Sequence, residues 1–546
     1  MHSHDKGDGE RPSGIRLGTG QSDAGTKEVV IIGAGPGGLA SALLLAHAGV
    51  KVRIVERLPH VGGRTSSFTE QGFRFALGPT VFIQPEVIKS IFSAIGRRLE
   101  DEVELVRVDP MYRITFGGGT GGRERGSILC SGDKERMREA IREIAPADVE
   151  HLDRYFAENK QKLALMKPVM ENPAAGFWDW IKVAKSAHIL RPWNSLDQDL
   201  RRYFSDERIR RAFSFHAKYF GMSPFRTPGI FSVLAFMEYD TGVWHPIGGC
   251  AAVTEAMARV AREMGVTISL NEGVEAINFE GRRATGVKTN RGEYACDKLV
   301  INADFARAMT RLVPDSIRRD WTDAKIAKKK FSCSTFMVYL GIEGTYDDLA
   351  HHNVYIPDDY EKNLREVEDD HVAPTDPCFY VENACITDPT LAPKGMSTLY
   401  TFASVTHEHA NIDWRKEAPA FRDLLVSKFA NIGIRGLEKR IRYERVITPR
   451  DWSETYEVHD GAVYNLQHTL SQLLSMRPRN RFTELEEVYL VGGGTHPGSG
   501  LPVIFQSARI TSRLMLQDWG MDAGFIDDAP PTAEPVGLLE APRKVA

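Results

Sequence analysis

The clearest hydrophobic pattern lies near the N-terminal end, where two apolar runs enclose a glycine-rich turn and a helical stretch. Val29–Ile32 is uninterrupted and apolar, as expected for a strand buried on both faces of a parallel sheet. Gly33–Gly38 forms the turn, and Leu39–His47 follows with a helical pattern. Lys51–Val55 is a second strand pattern that ends on Glu56. The order of strand, glycine turn, helix, strand and acid predicts a βαβ unit that binds a dinucleotide.

The glycines of the first turn have distinct expected roles. Gly33 permits the tight turn, Gly35 lets the backbone approach a pyrophosphate, and Gly38 lets the helix pack close to the strand. The N-terminus of the helix offers free N–H groups to the anion. Glu56 follows roughly 20 residues later, where a carboxylate accepts both ribose hydroxyls, and this disfavours NADP. The candidate phosphate-binding residues are Gly33, Gly35, Pro36, Gly37 and Gly38.

A second glycine pair helps to distinguish between the two remaining candidate cofactors, NAD and FAD. Arg57 follows the acid, and Gly62, Gly63 and Arg64 come next in the same loop. Glycine permits close approach of the backbone, and arginine binds phosphate through two parallel hydrogen bonds. An NAD enzyme has no evident need of this second motif, whereas the longer FAD does. We therefore predict FAD, against the alternative of a simple loop with a solvent-facing arginine.

A third glycine-rich turn lies near the other end of the chain. Glu487–Val491 has a strand pattern, Gly492–Pro502 is the turn, and Val503–Leu516 has a helical pattern. The dipole of such a helix stabilises negative charge on a reduced flavin ring, and proline suits a first helical turn. The candidate residues at this end are Gly493, Gly494 and Pro502.

With these motifs the chain resembles the phytoene desaturase family of carotenoid enzymes, within the FAD-dependent amine oxidase-like superfamily. The resemblance covers residues 27–519. Val503–Thr511 is closer to members that act on thirty-carbon diapocarotenoids than to those that act on forty-carbon phytoene. The motifs that carry the resemblance are Gly33–Gly38 with Glu56, Gly62–Arg64, His245–Gly249 and Gly494–Pro502.

The resemblance implies a flavoenzyme that introduces double bonds into a hydrophobic polyene. It also places Val274 near the adenine end of FAD. A hydrocarbon has no acidic proton, so the expected route is hydride loss to the flavin followed by proton loss. His496 is a candidate to accept that proton, with a structural role in the turn as the alternative. Since no second dinucleotide motif is present, oxygen or a quinone is the expected electron acceptor.

Two other functions remain open at this point. A homologous oxidase could convert terminal methyl groups to aldehydes. A lipid-escort protein of the same fold could lack redox activity altogether. The three intact glycine motifs argue against the escort, whereas the segment after Pro502 does not separate desaturase from oxidase.

Chain length indicates several domains, and the net charge argues against nucleic acid as a partner. At 546 residues the chain is too long for one core. A net charge of -4, from 69 basic and 73 acidic residues, gives no reason to expect nucleic acid. We predict an α/β fold: a discontinuous Rossmann-like FAD-binding domain, a mixed-sheet substrate domain and a helical insertion that could contact a membrane. The predicted segments are tails at 1–26 and 522–546, FAD-binding parts at 27–115, 236–305 and 485–521, a helical region at 116–235 and a substrate domain at 306–484.

Both tails are polar or proline-rich and are expected to be disordered. No stretch reaches about 18 uninterrupted apolar residues, so no membrane span is expected. Phe177–Lys185 and Ile189–Trp193 together hold three tryptophans and several basic residues, which favours a peripheral membrane contact. The alternative is a helix packed on the core with its charges in water. The expected location is the cytoplasm, at a membrane surface.

Histidine pairs give no metal prediction. His351-His352 and His407-Glu408-His409 each lack an obvious third ligand at helical or finger spacing. We therefore expect no metal. The six cysteines have no C-x-x-C spacing and are expected to be reduced.

Overall fold

The computed structural model describes residues 27–118, 126–174 and 176–528, apart from the side chains of residues 179 and 182. Two large sheets dominate the described part, with three small sheets beside them. The strands are β1 Glu28–Ile32, β2 Lys51–Val55, β3 Ser67–Glu70, β4 Phe73–Ala76, β5 Phe82–Ile83, β6 Leu105–Val108, β7 Tyr112–Phe116, β8 Ser127–Cys130, β9 Val243–Pro246, β10 Thr267–Ser269, β11 Val274–Glu280, β12 Arg283–Thr289, β13 Glu293–Ala295, β14 Lys298–Ile301, β15 Ser334–Glu343, β16 His352–Ile356, β17 Phe379–Glu382, β18 Met396–Val405, β19 Ile441–Ile447 and β20 Val488–Leu490.

Helices surround both sheets, and short 3₁₀ turns connect many of them. Seven of the described helices lie within residues 134–241, a stretch that overlaps the largely helical region predicted at 116–235. The helices are α1 Pro36–His47, α2 Pro85–Ala94, α3 Lys134–Ile144, α4 Leu152–Met170, α5 Phe177–Lys185, α6 Ala187–Leu190, α7 Leu196–Leu200, α8 Glu207–Ser214, α9 Val233–Thr241, α10 Ala251–Glu263, α11 Phe305–Leu312, α12 Asp323–Ile326, α13 Tyr360–Glu368, α14 Trp414–Ser427, α15 Pro449–Glu454, α16 Leu501–Asp518 and α17 Phe525–Asp528.

The first sheet is parallel throughout, in the order β10-β2-β1-β14-β20. Its strands come from three separate stretches of the chain. Because both faces are covered, β1 and β14 are apolar and buried after their first residues, Glu28 and Lys298. Helices α1, α2, α10 and α16 share a core on one face, and α11 with the β11–β13 sheet packs on the other. The predicted α/β class with a discontinuous Rossmann-like domain is confirmed.

The second sheet is mixed, in the order β19-β15-β18-β17-β16-β7-β8, and it is antiparallel except between β7 and β16. Its two central ten-residue strands, β15 and β18, are buried on both faces. Helix α14 packs on one face, and the aromatic-rich helical region packs on the other. Strand β7 belongs to this sheet, so the predicted domain boundary at residue 115 falls inside a strand.

The last part of the described chain differs from expectation. Residues 522–528 were predicted to be disordered, but α17 packs against α2, with Ile526 fully buried in the core of the parallel sheet. The apolar pair Phe525-Ile526 supplies that anchor. The predicted tail at 1–26 and the rest of the C-terminal tail lie outside the described residues. Among the described helices, none combines the length and apolar character needed to cross a bilayer.

Candidate functional site

A cavity of about 720 Å³ connects the parallel sheet to the mixed sheet. It is lined by residues from all three glycine-rich segments, the third of which lies more than 400 residues after the first two in sequence. The sequence-predicted residues on its wall are Gly33, Gly35, Pro36, Glu56, Arg57, Gly63, Arg64, Val274, Gly493, Gly494 and Pro502. The remaining predicted residues, Gly37, Gly38, Gly62 and His496, are not on the wall.

The first turn has the geometry of an anion-binding site. Gly33 has a φ of 97°, a conformation that favours glycine, and its N–H donates to the Val55 carbonyl at 2.8 Å. Gly35 caps α1 without any side-chain hydrogen bond, which leaves the first N–H groups of the helix available to a ligand. A Cβ on Gly38 would lie 2.4 Å from the Gly33 carbonyl oxygen. Gly38 therefore permits close helix packing, and Gly37, against Asn302, does the same.

Glu56 and Gly62 join the first two motifs. The Glu56 carboxylate is buried at the end of β2 and accepts hydrogen bonds from the N–H groups of Ala34, at 2.7 Å, and Leu58, at 2.8 Å. Gly62 donates its N–H to the Ala34 carbonyl at 2.8 Å and has a φ of 98°. Ala34 thus contacts both motifs, and Glu56 borders the cavity beside them.

The two arginines of this region have different surroundings. The Arg64 guanidinium donates to the Val463 carbonyl, and burial lowers its pKa while the Asp304 carboxylate partly offsets that shift. Arg57 is more exposed and donates to the Thr455 carbonyl at 2.8 Å. Arg64 is therefore less solvated than Arg57, so a hydrogen bond from Arg64 to a phosphate is the stronger of the two.

The third turn is held by a buried arginine. Arg477 is 1% exposed and donates to the Gly493 carbonyl at 2.7 Å, and burial lowers its pKa to about 9. A Cβ on Gly494 would lie 2.7 Å from both the Asn465 amide oxygen and the Phe305 Cβ. Helix α16 starts directly after Gly500, which offers no side-chain cap. The turn is therefore rigid, and it presents a helix N-terminus to the cavity.

Sequence reasoning missed several residues that shape the site. Asn302 borders the cavity and donates from Nδ2 to the Gly33 carbonyl at 2.9 Å. Asp304 also borders it and accepts from Asn465 Nδ2 at 2.6 Å. Both follow β14, and polar residues just after a buried parallel strand are a usable signal because such strand ends face ligands. Arg477 lies in an irregular segment and has no comparable signal.

His496 does not contact the cavity, in contrast to its predicted catalytic position. Its ring is 1% exposed and is hydrogen-bonded through Nε2 to the Asn172 carbonyl at 3.0 Å. That carbonyl lies just after α4, which ends at Met170. The contacts favour the structural alternative, in which the histidine holds the turn.

The other end of the cavity has an aromatic wall. The tyrosine hydroxyls in it are engaged by the protein: Tyr380 bonds to Thr80 Oγ1 at 2.8 Å and to His352 Nδ1 at 2.6 Å, and Tyr400 donates to the Gly78 carbonyl at 2.5 Å. Burial raises the pKa of both phenols well above the usual value, so they are uncharged. The rings lining this end are Tyr112, Phe215, Tyr219, Tyr380, Tyr400 and Phe402.

Three observations show that the glycine-rich turns around the cavity, here called the cradle, fit FAD. Gly33 and Gly35 leave space where a side chain would meet Asn302, and the Gly63 Cβ position lies 3.5 Å from the Gly35 Cα, so the two turns form one narrow backbone surface. Two helix N-termini, at α1 and α16, open toward the cavity. Residues Gly33–Gly35, Glu56 and Arg64 would hold the dinucleotide end, and Gly493–Pro502 would hold the ring end.

Comparison with known proteins gives the same assignment. The sequence model of flavin containing amine oxidoreductases matches residues 36–516. A 4,4′-diapophytoene desaturase (4,4′-diapolycopene-forming) from Methylomonas sp. is 36% identical over 90% of this chain and 96% of its own length. The all-trans-zeta-carotene desaturase of Myxococcus xanthus is 35% identical over 90% of this chain and 94% of its own. A structure of putrescine oxidase with putrescine bound aligns with a TM-score of 0.59 at 16% identity, over 91% of this chain and 99% of that one.

The family matches confirm the predicted cofactor, FAD, and the predicted class, a flavin-dependent oxidoreductase. They also agree with the three glycine segments that the fold brings to one cavity. The chain belongs to the flavin-containing amine oxidoreductases, and carotenoid desaturases are among the relatives that it matches at 30% identity or more.

Proposed function

We propose that this flavoprotein introduces double bonds into a carotenoid precursor of the phytoene or diapophytoene type. The observation that carries the proposal is the continuity of one cavity from the glycine cradle to the aromatic wall. A linear hydrocarbon has no polar group to recognise, so ring faces whose hydroxyls are already engaged suit it. The relatives support this substrate class, since they include a diapophytoene desaturase and a zeta-carotene desaturase.

Bound FAD supplies the two-electron acceptor that takes hydride from the polyene. The residues of the chain position the polyene and exclude water. The rings of Tyr112, Phe215 and Tyr380 can stabilise positive charge on the polyene, because each aromatic face attracts a cation by about 0.5–2 kcal/mol. Because the phenols of Tyr380 and Tyr400 are uncharged, this stabilisation comes from the ring faces and not from a fixed negative charge. On this account, alignment contributes more than any single acid or base.

Membrane contact is a separate part of the proposal. Phe177 and Trp178 on α5 are 73% and 65% exposed, and Trp193 is 66% exposed. The neighbouring Met476 is 54% exposed, and the indole of Trp180 donates to Ser475 Oγ at 3.1 Å, which ties α5 to that segment. We name Phe177, Trp178, Trp193 and Met476 the apolar patch. Such exposed aromatics suit a bilayer interface.

The apolar patch is linked to the cofactor-binding turn. Arg513 on α16 donates to the Glu171 carbonyl at 2.8 Å, and His496 bonds to the next carbonyl, that of Asn172. The two carbonyl groups belong to Glu171 and Asn172, which lie between α4 and α5. A lipid-dissolved substrate would therefore enter near the flavin. The proposed location is the cytoplasmic face of a membrane, and the proposed electron acceptor is oxygen or a quinone.

The test is a product mass. FAD-loaded protein is incubated on liposomes that carry phytoene or diapophytoene, and an Arg64→Met preparation depleted of FAD serves as the control. Successive loss of hydrogen pairs in one or both tubes is the expected result, and the productive tube identifies the chain length. A product that has gained oxygen at the ends of the polyene would contradict desaturation and identify the protein as a terminal oxidase. A colourless protein that retains no flavin would revive the escort alternative.

A further inference from the structure

Three buried side chains from distant parts of the sequence meet behind the aromatic wall. His245 lies on β9, His351 immediately precedes β16, and Glu382 ends β17. One ligand atom from each of the three lies within 4.8 Å of the others, and all three residues are buried. None of them borders the flavin cavity. Two imidazoles and a carboxylate are a common ligand set for divalent transition metals.

Each histidine of this cluster has one nitrogen engaged and one without a hydrogen bond. His245 Nε2 lies 3.3 Å from Asp388 Oδ2, and His351 Nδ1 is hydrogen-bonded to Thr387 Oγ1 at 2.8 Å. His245 Nδ1 is buried without a hydrogen-bond partner among the described residues, and His351 Nε2 faces the Glu382 carboxylate, 3.4 Å from its Oε1. Metal-binding histidines show this arrangement, because a carboxylate or hydroxyl on one nitrogen directs the lone pair of the other to the ion.

The space and the charge at the cluster suit one small cation. A cavity of about 10 Å³ is bordered by His245, Glu382 and Cys250, which is room for about one water-sized particle. Glu382 has the His351 ring, at 3.4 Å, as its ion-pair partner in the described chain. Asp388 also accepts from the Gly248 amide at 2.7 Å and from Thr390. Two carboxylates would balance the charge of a divalent ion in this dry region.

We propose that His245, His351 and Glu382 bind a divalent transition-metal ion of the Zn²⁺ class. The ion would connect two sheets. One contains β9, which pairs with β5 and β6, and the other is the mixed sheet, which contains β16 and β17. Tyr380 of the aromatic wall lies on β17 as well, two residues before Glu382. The site is structural and does not depend on the proposed desaturation. Sequence reasoning expected no metal because the ligands completing His351 lie far from it in the chain.

The test loads the flavoprotein with Zn²⁺ after chelator treatment, removes free metal by desalting and measures bound zinc per chain. We expect one retained ion in the wild type, and loss of it in His351→Ala and in Glu382→Gln. His409→Ala is the matched control, because His409 is exposed and stacks on His371 at 4.1 Å, where adventitious metal would bind. It should retain the ion. A wild type that retains no zinc would overturn the proposal and leave a water in the cavity.

Buried histidine variants can fail to fold, so a measurement on the wild type completes the test. X-ray absorption at the zinc edge should show nitrogen and oxygen ligands at about 2.0–2.2 Å with the signature of two imidazoles. Zinc should also raise the Tm of the chelator-treated protein. A spectrum without imidazole ligands, or zinc retained by both ligand variants, would overturn the assignment. A sulfur ligand at about 2.3 Å would support it and add Cys250.

Discussion

His496 is hydrogen-bonded through Nε2 to the Asn172 carbonyl at 3.0 Å, so it joins the cofactor-binding turn to the segment that leads into α5. His496→Ala leaves that carbonyl without this donor, which costs about 1–3 kcal/mol where the group stays buried. We expect a lower Tm and less bound flavin, with turnover per bound flavin largely kept. His496→Gln, whose amide can donate to the same carbonyl, should recover part of the loss. Retained flavin with abolished turnover would instead make this histidine catalytic.

Gly38 tests the packing of α1 against the turn. A Cβ there would meet the Gly33 carbonyl oxygen at 2.4 Å, a distance that forces the helix away from the strand. Gly38→Ala should destabilise the protein by about 1–3 kcal/mol and release FAD. Gly292→Ala is the control, since a Cβ at Gly292 meets nothing within 4 Å. Unfolding midpoints and the flavin-to-protein absorbance ratio measure both effects, and equal flavin content in the two variants would contradict the expectation.

Arg64 tests the cationic part of the cradle. Its guanidinium is fixed by the Val463 carbonyl beside the cavity, so a bound phosphate gains a pre-oriented fork. We expect Arg64→Lys to weaken FAD binding about tenfold and Arg64→Met about a hundredfold, because charged hydrogen bonds contribute roughly 1.5–3 kcal/mol. Arg53→Met, which removes a cation stacked on Tyr294 at 4.2 Å, is the matched control. Titration of the FAD-depleted protein with FAD gives the constants.

The cofactor half of the site is predictable from sequence because its signals are local. In the first and third glycine segments the strand, turn and helix are neighbours in the chain, and only glycine tolerates the backbone of Gly33 or the contact at Gly38. The aromatic wall gives no such signal. Tyr112 and Tyr380 come together because β7 pairs in parallel with β16, more than 200 residues away, and β16 with β17. The surroundings of His496 have no local signal either, because its contact with the Asn172 carbonyl joins residues more than 300 positions apart in the chain.

Glu368 predicts a pH dependence of stability. Burial raises its pKa to about 7, although the Lys218 ammonium acts in the opposite direction. Its folded pKa thus exceeds the ordinary value of 4.5, so the folded protein binds the extra proton. The stability that this group contributes is full below pH 4.5 and is lost as the pH rises through about 7. Glu368→Gln should therefore match the wild type in acid and exceed its Tm at pH 8.

The control for that measurement is Glu361→Gln, an exposed carboxyl at the start of the same helix, α13. It should leave the pH profile of the Tm unchanged. A Glu368→Gln profile parallel to that of the wild type would contradict the raised pKa.

The apolar patch predicts membrane binding. Trp178→Ser combined with Trp193→Ser removes two indoles that are each about two-thirds exposed, and we expect it to lower liposome flotation by an order of magnitude or more. Leu129→Ser is the matched control, because Leu129 is 44% exposed on β8 of the mixed sheet, outside the patch. The folded state of each variant is checked by its flavin content. Wild-type protein that stays entirely in the soluble fraction at low salt would refute the contact.

The discontinuity of the parallel sheet has a consequence for biosynthesis. β20 is the edge strand beside β14, and α16 completes the core that covers α1, yet both are translated after the whole mixed sheet. While the ribosome is still making residues 306–484, the N-terminal turn therefore lacks the opposite wall of its cradle. The complete flavin cradle therefore forms only after β20 and α16 have been made. A nascent chain that stalls before β20 is a colourless protein with an uncovered hydrophobic helix, which chaperones and proteases can bind.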